Sequence, residues 1–583
     1  MLVHLGIGSI DFVPLDPSGP QLFTFADFLT GLALLVLAWT TSDLLYRFRV
    51  GAAPARLQGG TFIFAALLGA LTLGTDVWRA NGWLVPSGHL LSPAGWQALL
   101  GGAFFTCVLW WAWFAFVQPP VFGKRNARRY AMSLYRVVLR GSGDELPVVA
   151  DEVARSAHTL IQFATERDTL AGIPGPDGRP MPAPPEPPEV SRYANDLLRL
   201  IGDRRFCRAV VASAPGTIAA VFNEIGSTKK YGVPVEAFAR NIVNAALANR
   251  ESFLFRETSG YASGLIGKYK PISQVLFADF QMVELIGTML DPELEEMWRW
   301  DASQWDAYCR SVLMVLRAHV KLGAVGHSFV LRRSLGNIEH ATSDLYMLDG
   351  RVGFEWSDDI QARLRVVVNA VEEMVGILDE KGVPVGQSRR LRAGDVWSET
   401  YYDRVAAIIY TLMQDASAIR SPRDLAWSVQ YNSIWGELFN FGRLDSPAGR
   451  LIKFKVRRLV YDEVARLSRF PNFKGSRILR YCLTVMGIKV RDTKADHDSR
   501  ALHSAILAFM RKQFACVYAQ QPRVAADCLP SDYNFDVAGS RVVRTIPAEG
   551  LRLEPEYEYL PVVPCLPSSG ELTQGDGVRG VAV

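Results

Sequence analysis

Twenty-one consecutive residues, Ala98 to Gln118, contain no charged side chain. About 20 apolar residues at ~1.5 Å each cross a hydrocarbon core ~30 Å thick, so this run predicts a membrane-spanning helix. The competing reading is a helix buried in a soluble core. Two shorter apolar runs precede it. Phe28 to Tyr46 is interrupted by Asp43, and Thr61 to Val77 carries no charge until Asp76. A mean hydropathy of +0.09 with 21% charged residues excludes a mainly disordered chain. The expectation is three spans, at about 28–46, 61–77 and 98–118. Trp39, Trp110, Trp111 and Trp113 suit interfacial anchors. Ala65 and Gly69 form a small-xxx-small pair that would let helices approach closely.

Basic residues orient the spans. None precedes Arg47, so no secretory n-region is expected. Arg47, Arg49 and Arg56 lie between the first two spans, and only Arg79 between the second and third. After the third come Lys124, Arg125, Arg128, Arg129, Arg136 and Arg140, with no acid between Gln118 and Arg140. The positive-inside rule places the N-terminus outside and everything beyond about residue 119 inside. Arginine outnumbers lysine 50 to 13, which fits a GC-rich bacterial genome and hence a bacterial inner membrane.

Segment 120–171 reads as a basic juxtamembrane helical stretch. Residues 172–190 hold eight prolines and read as an extended linker or loop. Region 191–521 carries successive helical patterns, at 234–249, 271–290, 293–320, 358–379 and 398–416. Ile360, Leu364, Val367, Val368, Val371, Val375 and Leu378 mark one apolar helix face. Asp291 before Pro292 reads as a helix start. Alternating strands are nearly absent before about residue 540. The fold class is therefore all-α: three N-terminal transmembrane helices, a large irregular helical domain, and an extended Pro-rich arm over 522–583 with short β-like runs such as 541–546.

Familiar catalytic motifs are missing. Ser259 to Lys268 looks like a Walker A loop, but Ala262 replaces its first glycine and Tyr269 its Ser/Thr. There is no GxSxG, no HExxH and no CxxC, so neither a metal nor a cofactor is implied, and the seven cysteines read as reduced thiols. His497-Asp498 with His503 resembles the metal-binding dipeptide of HD-type phosphohydrolases, without that family's other spacings. Glu339-His340 with Asp344 could be a base with its orienter, or a surface pair. Tyr401, Tyr402, Trp427, Tyr431, Trp435, Phe439 and Phe441 read as core packing, with a partner groove as the alternative.

One surface stands out. Residues 450–491 hold twelve basic side chains against Asp462 and Glu463 alone. On a helical wheel Ile452, Val456, Leu459, Val460 and Leu467 share an arc, and Arg450, Lys453, Lys455, Arg457 and Arg458 fall outside it. Together with Lys124, Arg125, Arg128 and Arg129 they are the candidates for binding an anionic partner. Three partners fit: anionic lipid, a nucleic acid or phosphorylated ligand, and the chain's own acidic tail, where residues 523–583 carry nine acids and five bases.

These features predict a membrane-anchored sensor or scaffold that binds a partner, a protein among the candidates, at the inner face of the membrane. The alternatives are a membrane effector whose spans assemble as a homo-oligomer on a nucleic-acid or protein trigger, and an enzyme with a site the sequence does not display.

Overall fold

The computed structural model describes residues 5–7, 10–14, 21–41, 43–54, 57–87, 92–166, 186–257, 271–323, 328–351, 358–383, 399–440, 444–490, 499–548 and 554–565. Most of the proline run, the Walker-like loop and the His497-Asp498 dipeptide lie outside them. The chain is mostly helical and divides into two units, Met1–Met289 and Leu290–Val583.

In the first unit α1 (Phe25–Thr41), α3 (Leu57–Ala80) and α4 (Pro93–Ala112) are apolar. α4 opens on Ser92, whose hydroxyl accepts from Gly95 N at 3.1 Å, and on Pro93 at the first helical position. It runs on through a π-helical turn, Trp113–Val117. Two stretches, Gly59–Ala80 and Ala94–Val117, are long and apolar enough to cross a membrane. Only 28% and 22% of their apolar windows are buried, unlike helices inside a soluble core. α1 is shorter, at 17 residues. The apolar run 28–46 is not one helix, because the Asp43 carboxylate accepts from Leu44 N at 2.7 Å and caps a new helix, α2 (Leu44–Ala52).

Phe28, Leu68, Leu100 and Phe104 form the core among the apolar helices. The Ala65/Gly69 pair serves a ring rather than a close backbone crossing. A Cβ at Gly69 would meet Phe28 Cε1 at 2.5 Å. Asp76 accepts from Phe25 N at 2.9 Å, so the charge closing the second apolar run holds the start of α1. A small antiparallel sheet, absent from the sequence expectation, joins β1 (Leu5–Ile7), β2 (Ile10–Pro14) and β3 (Leu84–Ser87).

α2 is fastened to the helices that follow, α5 (Ala127–Arg140) and α6 (Glu145–Phe163). Arg49 is buried and donates from Nη2 (2.8 Å) and Nε (3.1 Å) to Glu152 Oε1, and from Nη1 to Ala115 O at 3.1 Å. One guanidinium thus ties α2, the π-helical end of α4 and α6. Asn126 Nδ2 adds a bond to Ala52 O at 2.8 Å.

In the second unit the helix Asp359–Asp379 packs on Ala302–Lys321, and its seven expected apolar positions are all buried. Helix Tyr401–Ala416 packs on Pro447–Arg466 and Phe473–Met486. Asp291 is not a cap; the short helix Leu294–Met297 starts after Glu293, and Asp291 pairs with Arg333 at 3.5 Å. A second antiparallel sheet, β4 (Tyr533–Asp536), β5 (Arg541–Ile546) and β6 (Glu556–Pro561), rests on helix Arg500–Gln520. Phe535 sits 5.3 Å from the Phe514 ring and 5.0 Å from Tyr518. Cys516 and Cys565 are disulfide-bonded, which corrects the reading of all seven cysteines as reduced thiols. Cys207, Cys309, Cys482 and Cys528 are free and buried.

Candidate functional site

The helix Pro447–Arg466 carries most of the expected basic face, and its side chains separate sharply. Lys455 and Asp403 form an ion pair at 2.5 Å with 1% and 0% side-chain exposure. Lys453, also 1% exposed, reaches Asp445 at 2.7 Å. These two lysines therefore do not belong to an exposed patch. A wheel separates apolar from polar positions, but a lysine stem can follow the apolar arc when a carboxylate waits at its end. Arg450 and Arg458 are exposed and Arg457 half-buried; Arg458 pairs with Asp462 at 3.0 Å. Further along, Lys489 pairs with Glu558 of β6 at 3.4 Å, a contact between the basic stretch and the acidic tail. Lys124, Arg125 and Arg128 are exposed, and Arg129 donates to Pro54 O.

Arg480 is the member of the basic stretch that meets a cavity. It sits on the helix Phe473–Met486, buried, and lines a hollow of about 180 Å³. Arg420, Arg423 and Arg544 line the same hollow, as do Asp527 and Asp532. Four guanidiniums thus face two aspartates. Asp527 Oδ1 lies 2.7 Å from Arg480 Nη1 and 2.5 Å from Arg420 Nη2, while Ser476 Oγ donates to Oδ2 at 2.5 Å. Asp532 Oδ2 is shared by Arg423 and Arg544, each at 3.1 Å. Glu558 lies 3.4 Å from Arg544 but also serves Lys489.

The local chain explains why these groups converge. The Asp349 carboxylate accepts from Arg420 N (2.7 Å) and Ser421 N (2.8 Å), which fixes the loop ahead of helix Arg423–Trp427. Arg480 Nη2 donates to Ser417 O at 2.6 Å, tying that loop's start to the next helix. Yet the buried Nε of Arg480 has no hydrogen-bond partner among the described residues. Burial lowers the tendency of Arg480 to hold its proton; Asp527 opposes this, and the nearby Arg420 and Arg477 charges add to it. At the rim Trp427, 43% exposed, stacks on Tyr431 at 4.8 Å. The arrangement suits an anion. Guanidiniums bind phosphate oxygens through paired N–H donors, and a surplus of like charge is relieved by an incoming anion.

The other candidates resolve differently. Glu339 pairs with Arg404 at 2.8 Å and Asp344 with Arg363 at 2.6 Å, while the His340 ring packs 5.3 Å from Trp298, so no base–orienter pair forms. His503 is buried, with Nε2 2.9 Å from Gly487 O, a satisfied core position. Tyr401, Tyr402, Trp435 and Phe439 are core, as expected, and Trp427 is not. Among the described residues no cluster of three metal-ligating side chains occurs. The sequence reading counted Arg480 among twelve cations but missed Arg420, Arg423 and Arg544. They are scattered over 124 positions and share no motif, so only the fold brings them together. Comparison with protein-family models, curated proteins and solved structures finds no match for this chain.

Proposed function

We propose that the chain is a membrane-anchored sensor whose second unit binds a phosphate-bearing ligand at the inner face of a bacterial plasma membrane. The observation that carries the reading is the cavity with four arginines and two aspartates. At about 180 Å³ it is smaller than the ~300 Å³ and more of a typical drug-sized site, so it suits a phosphoryl group or the phosphate end of a longer molecule. Trp427 offers a flat ring beside it for an attached base.

Anchoring is supported by the outward-facing apolar helices α3 and α4. We take α1 as a third span, since its ~25 Å can be matched by local thinning of the bilayer and it packs on α3 through Phe28. The basic residues between α1 and α3, and those after α4, favour the N-terminus outside and the second unit inside, and the Cys516–Cys565 disulfide, of a kind rare in reducing cytoplasm, is the one described feature that opposes this side.

The test is thermal unfolding of the full chain in detergent with inorganic phosphate, pyrophosphate or a nucleoside diphosphate, against chloride at equal ionic strength. A ligand at 100 times its Kd adds about 2.7 kcal/mol, a rise of several degrees. Arg423→Gln should abolish the rise. An equal response to chloride, or an unchanged response in Arg423→Gln, would overturn the assignment.

A further inference from the structure

A second cavity, of about 370 Å³, lies in the first unit between α2, α5 and the last turns of α4. Its walls combine apolar and aromatic surface with two arginines and one hydroxyl. Trp111 and Phe48 are buried against it, Arg47 and Arg136 are exposed beside it, and Ser133 faces it. Among the described residues no acidic side chain lines it. Arg136 makes no ion pair among the described residues, whereas Arg49 of α2 is buried and paired with Glu152 at 2.8 Å. The chain therefore neutralises its buried arginine and leaves Arg136 without a carboxylate among the described residues, while Arg47 donates from Nη2 to Thr40 O at 3.3 Å.

Position decides what can enter. Trp111 belongs to the final turns of the second long apolar helix, and Arg47 follows the end of α1 by six residues. The cavity thus sits where apolar helices end and the basic segment 124–140 begins. A ligand there meets hydrocarbon on one side and guanidinium on the other. Basic pockets at this level suit anionic headgroups. Gly51 keeps the space open, because a Cβ there would meet Ser133 Oγ at 3.0 Å.

We propose that this cavity binds one anionic phospholipid, its phosphate between Arg47 and Arg136 and its first acyl carbons against Trp111 and Phe48. This rests on the reading that the apolar helices cross a membrane, and it is independent of the arginine cavity in the second unit. Bound there, the lipid contacts α2, which Arg49 fastens to α6, so lipid charge would be read by the same helix that joins the apolar helices to the rest of the unit.

The experiment uses the full chain in detergent, with native mass spectrometry after adding phosphatidylglycerol or phosphatidylcholine. One phosphatidylglycerol should be retained per chain, with at least tenfold preference over phosphatidylcholine. Arg136→Gln should cut retention roughly tenfold, and Arg140→Gln, an exposed position on the same helix outside the cavity, should leave it unchanged. Both sites are exposed, so unaltered melting temperatures confirm that folding is not at issue. Equal losses in the two variants would mean diffuse surface attraction and overturn the site. Displacement of the lipid by millimolar inorganic phosphate would overturn the lipid in favour of a free anion. Extraction of the wild type from membranes by alkaline carbonate would bring down the anchoring reading itself, and this proposal with it.

Discussion

Segments 124–140 and 450–491 read alike in sequence: each is a run of cations with few or no acids. In the fold they have opposite fates. Arg128, Arg136 and Arg140 in the first are exposed and form no ion pair among the described residues. In the second, Lys453, Lys455 and Arg480 are buried on carboxylates, and Arg458, Arg466 and Lys489 are paired. The difference lies in acids that are remote in sequence. Asp403 is 52 positions from Lys455, and Asp527 is 47 from Arg480. Local charge density therefore says little about exposure, because a helix end elsewhere can supply the counter-charge.

The sharpest way to break this contrast is at Lys455. Removing one member of a buried pair leaves the other charge stranded, at a cost of about 3–5 kcal/mol. Lys455→Met should lower the denaturation free energy by that amount, while adding Asp403→Asn, which removes the charge but keeps an oxygen for the Thr400 cap, should recover most of it. A loss under 1 kcal/mol in the single variant would mean that Asp403 is already solvated. The first unit offers the matching test. Glu152→Gln leaves Arg49 without its carboxylate and should cost about 3 kcal/mol, read as a lower melting temperature of the full chain in detergent. If that cost is absent, α2 is not held to α6 as described.

How far the sequence reaches can be seen at the aspartates. The apolar face from Ile360 to Leu378 was legible because a period of 3.6 is a local property. Helix ends were not. Asp43, Asp279 and Asp301 each accept from backbone N–H groups and start new helices inside runs that read as continuous. In a pattern of apolar spacing, a capping aspartate looks like one more surface charge. The N-terminal sheet was missed for a different reason: β2 pairs with β3 some seventy residues away, and neither strand is long enough to show alternation. The arginine cavity was legible only in part. Arg480 stood inside a visible run, but its partners arrive from a loop, the start of the helix Arg423–Trp427 and a strand.

Asp415 sharpens the comparison from the acidic side. Burial raises its carboxyl to about 7; the Thr342 hydroxyl, 2.9 Å away, opposes this, and the charges of Glu339 and Asp344 add to it. In the unfolded chain an aspartate titrates near 3.9. The folded state thus keeps a proton that the unfolded state releases. The resulting stability is full below about pH 4 and lost as pH rises through about 7. Asp415→Asn should leave stability at pH 4 unchanged and raise it at pH 8 by about 2 kcal/mol, half of the ~4 kcal/mol that the full shift corresponds to, because the side chain is only half-buried. Denaturant midpoints at the two pH values measure this, and equal gains at both would show that Asp415 does not titrate near neutrality.

The smallest effects are expected where the two basic segments still resemble one another, at Arg128 and Arg450, both exposed. Neither Arg128→Gln nor Arg450→Gln should change stability by more than about 0.5 kcal/mol. Their surroundings should separate them. In nanodiscs of anionic rather than zwitterionic lipid, backbone amides over 124–140 should exchange more slowly, because each cation near the surface gains about 1 kcal/mol from the leaflet's charge. Arg128→Gln should then remove roughly a fivefold protection, the equivalent of that 1 kcal/mol. Residues 447–466 should exchange at the same rate in both lipids, with or without Arg450. Their cations are spent largely on Asp403, Asp445 and Asp462, and what remains is too sparse to hold a helix to a surface. Lipid-dependent protection over 447–466 that disappears in Arg450→Gln would mean that this helix touches the membrane after all, and that its internal pairs coexist with a working external face.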